Sequence, residues 1–221
     1  MKRVLVLRPQ PGASITAREA RELGLEAVIA PLFEIRPLDW RPPNPAQFDG
    51  LLLTSANAVR HGGPGLLALR GLPVFAVGGS TAGSARHAGF AIAATGAAGI
   101  EELTRAIDPG LRLLHLCGAD RRDPVTPGLP SEAIAVYCAE AVAAPDLSAA
   151  AGSVALIHSP RAGQRFAELV GDRSTITIAA ISAAAADAAG SGWETVATAP
   201  QPNDAALLAL AVRLCNTPAP Q

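Results

Sequence analysis

The sequence contains little cysteine, a single lysine and few aromatic residues, and each shortage argues against a class of protein. Cys117, Cys138 and Cys215 are the only cysteines among 221 residues, and no two of them form a CxxC pair. A disulfide framework is therefore disfavoured, and a reducing compartment is expected. Aromatic residues make up 4% and the net charge is −1. The chain thus lacks the basic excess and the stacking side chains of a nucleic-acid-binding surface.

Long hydrophobic runs are also missing. No apolar run reaches the ~18 residues that span a bilayer. The four apolar residues Val4–Leu7, which end at Arg8, are shorter than the core of a secretory signal, which needs about 7–15 residues. We therefore expect a cytoplasmic protein with no membrane partner. With 49% apolar residues, the chain can bury a core, and its length suits one large domain or two small ones.

Ten short apolar runs alternate with Ala-rich segments long enough for helices. Continuous apolar runs are typical of strands buried on both faces, as in parallel sheets covered by helices. The alternation predicts an α/β fold. The predicted strands are Val4–Leu7, Ala27–Ala30, Leu51–Leu53, Val74–Val77, Ala91–Ala94, Leu113–Cys117, Ala133–Tyr137, Val154–Ile157, Ile176–Ile181 and Thr195–Ala199.

An internal repeat divides the chain into two α/β sets. Segment 51–107 resembles segment 155–211, with Ser55 aligned to Ser159 and Leu103 to Leu207. The pattern predicts two flavodoxin-like parallel-sheet domains. Contiguous pairing of segments is the default, since neighbours in sequence are usually neighbours in space.

Two Pro-rich stretches favour a second arrangement, in which one domain is inserted into the other. They flank the middle of the chain and would form a two-stranded linker. The predicted division has an outer domain of residues 1–36 and 152–214, an inserted domain of 50–142, linkers at 37–49 and 143–151, and a tail at 215–221.

Small, hydroxyl-bearing and arginine residues follow the predicted strands. In an open parallel sheet the ligand crevice lies beyond the carboxyl ends of the strands. Any single serine is better explained as a helix cap, but the collection of these residues at one predicted edge favours a cleft for an anionic ligand. The candidate binding residues are Arg8, Thr54, Ser55, Gly78, Ser80, Thr81, Gly118, Arg122, Ser159 and Ser182.

Several familiar sites are missing. The loop Gly78–Gly83 has Ser84 where a Walker A loop needs lysine, and no GxGxxG follows the first strand. The four histidines show no metal-ligand spacing, so we expect no metal. Tyr137, the only tyrosine, fits a core residue at the cleft edge by pattern alone, yet a neutral phenol can donate a proton.

Several motifs, in order and with their spacing, resemble the uroporphyrinogen-III synthase family over nearly the whole chain. They include Val-Leu-Val-Leu-Arg8-Pro9, Leu-Leu-Leu-Thr54-Ser55-Ala-Asn, Val-Gly78-Gly-Ser-Thr81, Leu-His-Leu-Cys-Gly118-Ala-Asp-Arg-Arg122, Val-Tyr137, Ile-His-Ser159-Pro160 and Asn203-Asp-Ala-Ala-Leu207. The resemblance implies two α/β domains on a two-stranded linker, with the outer one built from both chain ends. This favours the inserted arrangement over contiguous pairing.

The resemblance also implies an activity. The family cyclises hydroxymethylbilane to uroporphyrinogen III without a cofactor, losing water and inverting ring D through a spiro intermediate. The substrate would be a linear tetrapyrrole with eight carboxylates, and the protein a monomeric lyase of porphyrin and heme biosynthesis. By resemblance, Tyr137 assists departure of the hydroxyl group and Thr81 is a cleft threonine. Arg8, Ser55, Arg122 and Ser159 match loop positions that face the substrate.

One loop departs from the family pattern. Where the family often has glycine followed by threonines, this chain has Ser182 followed by four alanines. The departure keeps a second hypothesis open, a non-catalytic two-domain binder of a small anionic ligand. A phosphosugar-processing α/β enzyme is a third reading, but no acid and base pair supports it.

Overall fold

The computed structural model describes residues 3–96, 100–105, 107–120 and 131–216. The chain divides into two compact units. Unit 1 contains Met1–Glu34 and Ala141–Gln221, and unit 2 contains Ile35–Glu140. That each unit folds as an independent domain stays a prediction.

Strands and helices alternate through most of both units. The strands are β1 Val4–Val6, β2 Ala27–Ile29, β3 Phe33–Pro37, β4 Gly50–Leu53, β5 Val74–Val77, β6 Ile92–Gly96, β7 Leu113–Gly118, β8 Ser131–Ala141, β9 Val154–Ile157, β10 Thr177–Ala180 and β11 Thr195–Thr198. The α-helices are α1 Gly12–Glu22, α2 Ala56–His61, α3 Gly79–His87, α4 Ile100–Arg105, α5 Pro160–Leu169, α6 Ala183–Ala189 and α7 Asp204–Asn216. Two 3-10 helices span Pro45–Gln47 and Gly63–Leu69. All ten predicted strands are present, which confirms the α/β prediction.

The sheet of unit 1 has five parallel strands in the order β11-β10-β9-β1-β2. Counted along the chain within the unit, this is the flavodoxin-like order 2-1-3-4-5. Strands β1, β9 and β10 are buried along their whole length, as continuous apolar runs predict.

The sheet of unit 2 has the order β3-β8-β7-β4-β5-β6. Its five parallel strands β8-β7-β4-β5-β6 have the same spatial order as those of unit 1, but the chain enters at β4 rather than at β7. The two sheets are therefore one flavodoxin-like arrangement with permuted connections. This confirms the predicted fold class.

Strands β3 and β8 carry the chain between the two units. The N–H of Leu38 donates to the carbonyl of Val136, and the N–H of Val142 donates to the carbonyl of Leu32. The two strands therefore run antiparallel, because the partners advance in opposite directions. The unit boundaries fall after Glu34 and after Glu140, inside these strands.

These boundaries lie a few residues before the stretches 37–49 and 143–151, whose role as linkers stays a prediction. Residues 37–49 belong to unit 2 and residues 143–151 to unit 1. Trp40 donates its indole N–H to the carbonyl of Gly62, and Phe48 is buried in unit 2. Proline suits such peripheral segments because it removes only an N–H that no strand partner needs.

Each unit has its own apolar core. In unit 1, the small residues Ala13, Ala17 and Ala20 recur on one face of α1 and pack against β1 and α7. Helices α5 and α6 also approach closely, since a Cβ on Gly163 would lie 2.7 Å from the carbonyl oxygen of Ala185. In the part of the chain that the structure describes, no helix has the length and apolar character to cross a membrane.

Candidate functional site

A cavity of about 450 Å³ opens beside the carboxyl edge of the unit 2 sheet. It lies where the strand order of the sheet reverses, between β4 and β7, the place where open α/β sheets bind ligands. Its volume is in the range of small-molecule sites. Gly118 lines it, together with the polar residues Thr54, Ser55, His115, Asp120 and Tyr137.

Tyr137 is aimed into this cavity by an irregularity in β8. The pairing of β7 with β8 advances one residue on β7, from Cys117 to Gly118, while β8 advances from Ala135 to Tyr137. Such a bulge redirects the side chains that follow it. The phenol ring then lies over Gly118, where an added Cβ would meet the ring carbons at 2.8 Å and the hydroxyl oxygen at 3.1 Å. Only glycine leaves room for this ring position.

The phenol of Tyr137 is held in its neutral, proton-bearing form. Burial raises the pKa of Tyr137, a hydrogen bond with Ser55 opposes the rise, and the charges of Cys117 and Asp120 add to it. A phenol with a raised pKa keeps its proton at neutral pH and can donate it to an oxygen atom.

Two further polar groups complete the cavity wall. The imidazole of His115 is buried, and its Nε2 lies 3.1 Å from the hydroxyl of Thr54, which directly follows the neighbouring strand β4. The Asp120 carboxylate accepts the N–H of Ala139 at 3.2 Å. Neither was among the predicted binding residues. The Leu-His-Leu-Cys-Gly-Ala-Asp run at the end of a buried strand was the signal that could have found both.

The carboxyl edge of unit 1 carries a different arrangement. Arg8, which follows β1, lies 2.6 Å from the carboxylate of Asp204 at the start of α7. The hydroxyl of Thr16 donates to the same oxygen at 2.8 Å, and His158 Nε2 lies 3.1 Å from the other oxygen. Burial by itself raises the pKa of Asp204, but the His158 hydrogen bond, the Arg8 charge and the Thr16 hydroxyl together lower it to about 2. Asp204 therefore stays ionised and ties β1, α1, β9 and α7 together.

The predicted site residues fall into distinct groups. Thr54, Ser55, Gly118 and Tyr137 meet at the cavity. Gly78, Ser80 and Thr81 lie at the start of α3 and do not line it. Gly78 has φ +82°, and Thr81 is buried in the helix while Ser80 is exposed. Arg122 lies outside the described residues.

The remaining predicted residues belong to unit 1. Arg8 is engaged with Asp204, as described above. Ser159 and Ser182 cap α5 and α6, where their hydroxyls accept the N–H of Ala162 and Ala185. Ser55 likewise caps α2 through the N–H of Asn57. A capping role and a ligand role are compatible, and substrate contact by these residues stays a prediction. Among the described side chains, no group of three or more His, Cys, Asp or Glu could hold a metal ion.

Comparisons with known proteins agree with this architecture. The model of the uroporphyrinogen-III synthase HemD family matches residues 14–209. A uroporphyrinogen-III synthase of Chlorobaculum parvum is 43% identical over 61 residues, which is 27% of this chain and 25% of that protein. The match therefore spans about a quarter of that relative's length.

Solved structures show the same fold. The uroporphyrinogen-III synthetase of Helicobacter pylori 26695 is 19% identical, with a TM-score of 0.69 over 97% of this chain and 100% of that one. A mutant uroporphyrinogen III synthase of Thermus thermophilus is 16% identical, with a TM-score of 0.52 over 98% and 100%. The family model covers most of the chain and confirms the predicted resemblance: the chain belongs to the uroporphyrinogen-III synthase family.

Proposed function

We propose that the protein is a uroporphyrinogen-III synthase, which cyclises hydroxymethylbilane to uroporphyrinogen III with loss of water and inversion of ring D. The observation that carries the proposal is the phenol of Tyr137, protonated and held over Gly118 at a cavity, in a chain whose family match spans residues 14–209. The reaction needs a proton donor for one leaving oxygen, and Tyr137 supplies it.

The chemistry demands little beyond this donor and a fixed substrate geometry. The C–O bond of the hydroxymethyl group breaks, its electron pair leaves with the oxygen, and the phenol proton completes a water molecule. The lone pair of the pyrrole nitrogen is delocalised toward the methylene carbon that lost the oxygen, so the ring becomes cationic. Ring D attacks that carbon, rearranges through the spiro intermediate and closes the macrocycle, and the proton released on closure returns to the phenolate.

Binding then selects one substrate conformation, which is catalysis by positioning. We propose that the hydroxymethyl end of the substrate enters the unit 2 cavity, where Thr54 and Ser55 offer hydroxyls. Arg122, Ser159 and Ser182 are proposed to hold carboxylates, and Gly78, Ser80 and Thr81 to approach the substrate through their backbone. Arg8, which is paired with Asp204, is proposed to stabilise the unit 1 edge and not to bind substrate. The enzyme acts without cofactor, as a cytoplasmic monomer; a single concentration-independent sedimentation coefficient is expected.

Product analysis tests the proposal directly. Hydroxymethylbilane generated in situ is mixed with catalytic amounts of protein, the products are oxidised, and type I and type III uroporphyrin are separated. Spontaneous closure gives type I, so a predominance of type III establishes the activity. Type I alone from folded protein overturns it.

One observation favours a second candidate, a non-catalytic binder of a small anionic ligand. The first turn of α6 exposes Ala183 and Ala184 where the family often has threonines, so it offers no hydroxyls there. Slow release of bound linear tetrapyrrole with only type I product would support this candidate.

A further inference from the structure

Helix α2 starts at the cavity and ends beside the phenol. Its cap, Ser55, lines the cavity and is hydrogen-bonded to the phenol of Tyr137. Its last residue, His61, has its ring centroid 6.3 Å from that of the phenol ring, with the two rings tilted by 44°. The side chains at the end of α2 therefore border the group that we propose as the proton donor.

Three polar side chains share one face of this helix. Asn57, Arg60 and His61 have the spacing i, i+3 and i+4, so the last two are both neighbours of the first on the helix surface. Arg60 Nη1 donates to Asn57 Oδ1 at 3.3 Å. Burial, and after it the charge of Arg60, lowers the pKa of His61. The guanidinium and the imidazole are therefore close enough to act on one ligand.

This face offers hydrogen-bond donors and a positive charge. Arg60 is exposed, and its bond to the neutral amide of Asn57 uses one of its five N–H groups. Within the part of the chain that the structure describes, no carboxylate pairs with Arg60. With its lowered pKa, His61 is neutral at pH 7 and keeps one N–H donor. A guanidinium beside a neutral donor suits a carboxylate, which the guanidinium can bind through two parallel N–H bonds.

The end of α2 is fixed in place. Trp40 donates its indole N–H at 2.8 Å to the carbonyl of Gly62, the residue after His61. A Cβ on Gly62 would lie 2.6 Å from the carbonyl oxygen of Ala58, so glycine is needed where the helix ends. The backbone that carries Arg60 and His61 is thus held from two sides, as a binding site requires.

We propose that Arg60 and His61 form a carboxylate subsite, which holds an acidic side chain of the pyrrole that carries the hydroxymethyl group. The inference rests on the proposed synthase function. A pyrrole linked through the carbons next to its nitrogen carries its acidic side chains on the two remaining ring carbons. One of these side chains therefore lies within a few ångströms of the hydroxyl group. When that hydroxyl group is at Tyr137, the side chain reaches the end of α2.

The subsite orients the ring without entering the reaction. Neither the guanidinium nor the imidazole exchanges a proton or forms a covalent bond, and the carboxylate keeps its charge from bound substrate to transition state. The contact is therefore equally strong in both states, and it acts on KM rather than on kcat.

The matched variants are Arg60→Gln and Arg70→Gln. Both arginines are exposed residues of unit 2, but Arg70 precedes β5, at the opposite edge of the sheet from the cavity. We expect Arg60→Gln to raise the KM for hydroxymethylbilane about 10-fold, the scale of one hydrogen bond to a charged group, with little change in kcat. Arg70→Gln should match the unchanged protein. Arg60→Lys keeps the charge and should recover part of the lost affinity.

Two further readouts distinguish substrate binding from a structural role. Added salt should raise the KM of the unchanged protein more steeply than that of Arg60→Gln, because the variant has one charge fewer to screen. Phenolate absorbance of the lone tyrosine reports the pKa of Tyr137. Arg60 is not among the groups that shift this pKa, so Arg60→Gln should leave it unchanged, with the phenol in place.

His61→Phe tests the second member of the subsite. Phenylalanine keeps a ring beside the phenol but has no N–H to donate. We expect the KM to rise about 5-fold, the scale of a neutral hydrogen bond, with little change in kcat. An unchanged KM would overturn the subsite as a pair of residues.

The outcomes separate the inference from the function beneath it. An unchanged KM in Arg60→Gln overturns the inference, while type III product from the same variant still supports the synthase. A fall in kcat with unchanged KM also overturns it, because the guanidinium would then act on the reacting atoms. If the unchanged protein gives only type I product, the proposed function fails and the inference fails with it.

Discussion

The two units share one sheet arrangement but use its carboxyl edge in opposite ways. In unit 1, Arg8, Thr16 and His158 all converge on the carboxylate of Asp204, so these polar groups satisfy one another. In unit 2, the corresponding edge holds a cavity of about 450 Å³ with a phenol pointing into it.

The difference teaches that strand order alone does not decide which sheet edge carries a cavity. Both edges have a serine cap after the strand β4 or β9, and both have a histidine near a strand end. What separates them is the start of α7, whose Asp204 neutralises the polar groups of unit 1, and the bulge in β8, which redirects Tyr137 in unit 2. We expect changes at the first edge to affect folding and changes at the second to affect turnover.

Tyr137→Phe is expected to have the largest effect on turnover. The phenylalanine ring keeps its place over Gly118, but it has no proton for the leaving oxygen. The kcat should fall by about 100- to 1000-fold, the scale of a lost general acid, with KM nearly unchanged. Steady-state rates of type III formation measure it, together with binding of the linear tetrapyrrole. Loss of binding instead of turnover would mean that the ring is structural.

Gly118→Ala should reproduce most of that loss by displacing the phenol. The new methyl group would lie 2.8 Å from two ring carbons, so Tyr137 has to move. A shift of about 1 Å in a reacting group lowers kcat by about 100-fold. Gly71→Ala, in the turn before β5, is the matched control because its Cβ would meet nothing within 4 Å. Equal rates for both variants would contradict the ring position.

Asp204→Asn should destabilise the fold by about 2 kcal/mol at neutral pH, as the shift in its pKa from 3.8 to about 2 implies. Because folding lowers the pKa of Asp204, its ionised carboxylate adds stability at pH values above the ordinary aspartate pKa. The contribution is therefore complete above about pH 4 and is lost as the pH falls toward 2. Denaturant titrations should show the two proteins converging over that window. The exposed Asp187→Asn should stay within about 0.5 kcal/mol of the unchanged protein.

The smallest expected effect is a difference between two equivalent helix caps, Ser55 and Ser159. Ser55→Ala and Ser159→Ala each remove one helix cap and should each lower the free energy of unfolding by about 1 kcal/mol. Ser55 also bonds the phenol, so its loss should raise the pKa of Tyr137 further, whereas Ser159→Ala should not change it. Phenolate absorbance separates the two, and equal pKa values in both variants would argue against the Ser55 bond.

Much of the fold could be predicted from the sequence, but strand β3 was not. Continuous apolar runs located ten strands, because buried parallel strands need apolar side chains on both faces. Strand β3 was missed although Phe33, Ile35 and Pro37 alternate with Glu34 and Arg36, a period-2 pattern that predicts a strand. Pro37 and its neighbours suggested a linker instead. The prediction of β8 stopped at Tyr137, while the strand continues to Ala141.

Part of the candidate site could also be predicted from the sequence. Thr54, Ser55, Gly118 and Tyr137 were identifiable because residues after parallel strands gather at one edge. Asp204 was missed as the partner of Arg8, since the two are far apart in sequence and nothing local pairs them. Thr81 follows strand β5, as a candidate binding residue should, but it lies in α3 and its side chain is buried.

The sequence by itself determined the elements of this protein, since apolar periodicity and the repeated strand-helix order act over a few residues. It also determined the family, through motifs that follow one another in a characteristic order. Only the tertiary structure decided that Arg8 pairs with Asp204, that Asp120 and the phenol line the same cavity, and that Tyr137 lies over Gly118. These depend on a one-residue shift between two strands and on distances of a few ångströms between distant parts of the chain, which local preferences do not encode.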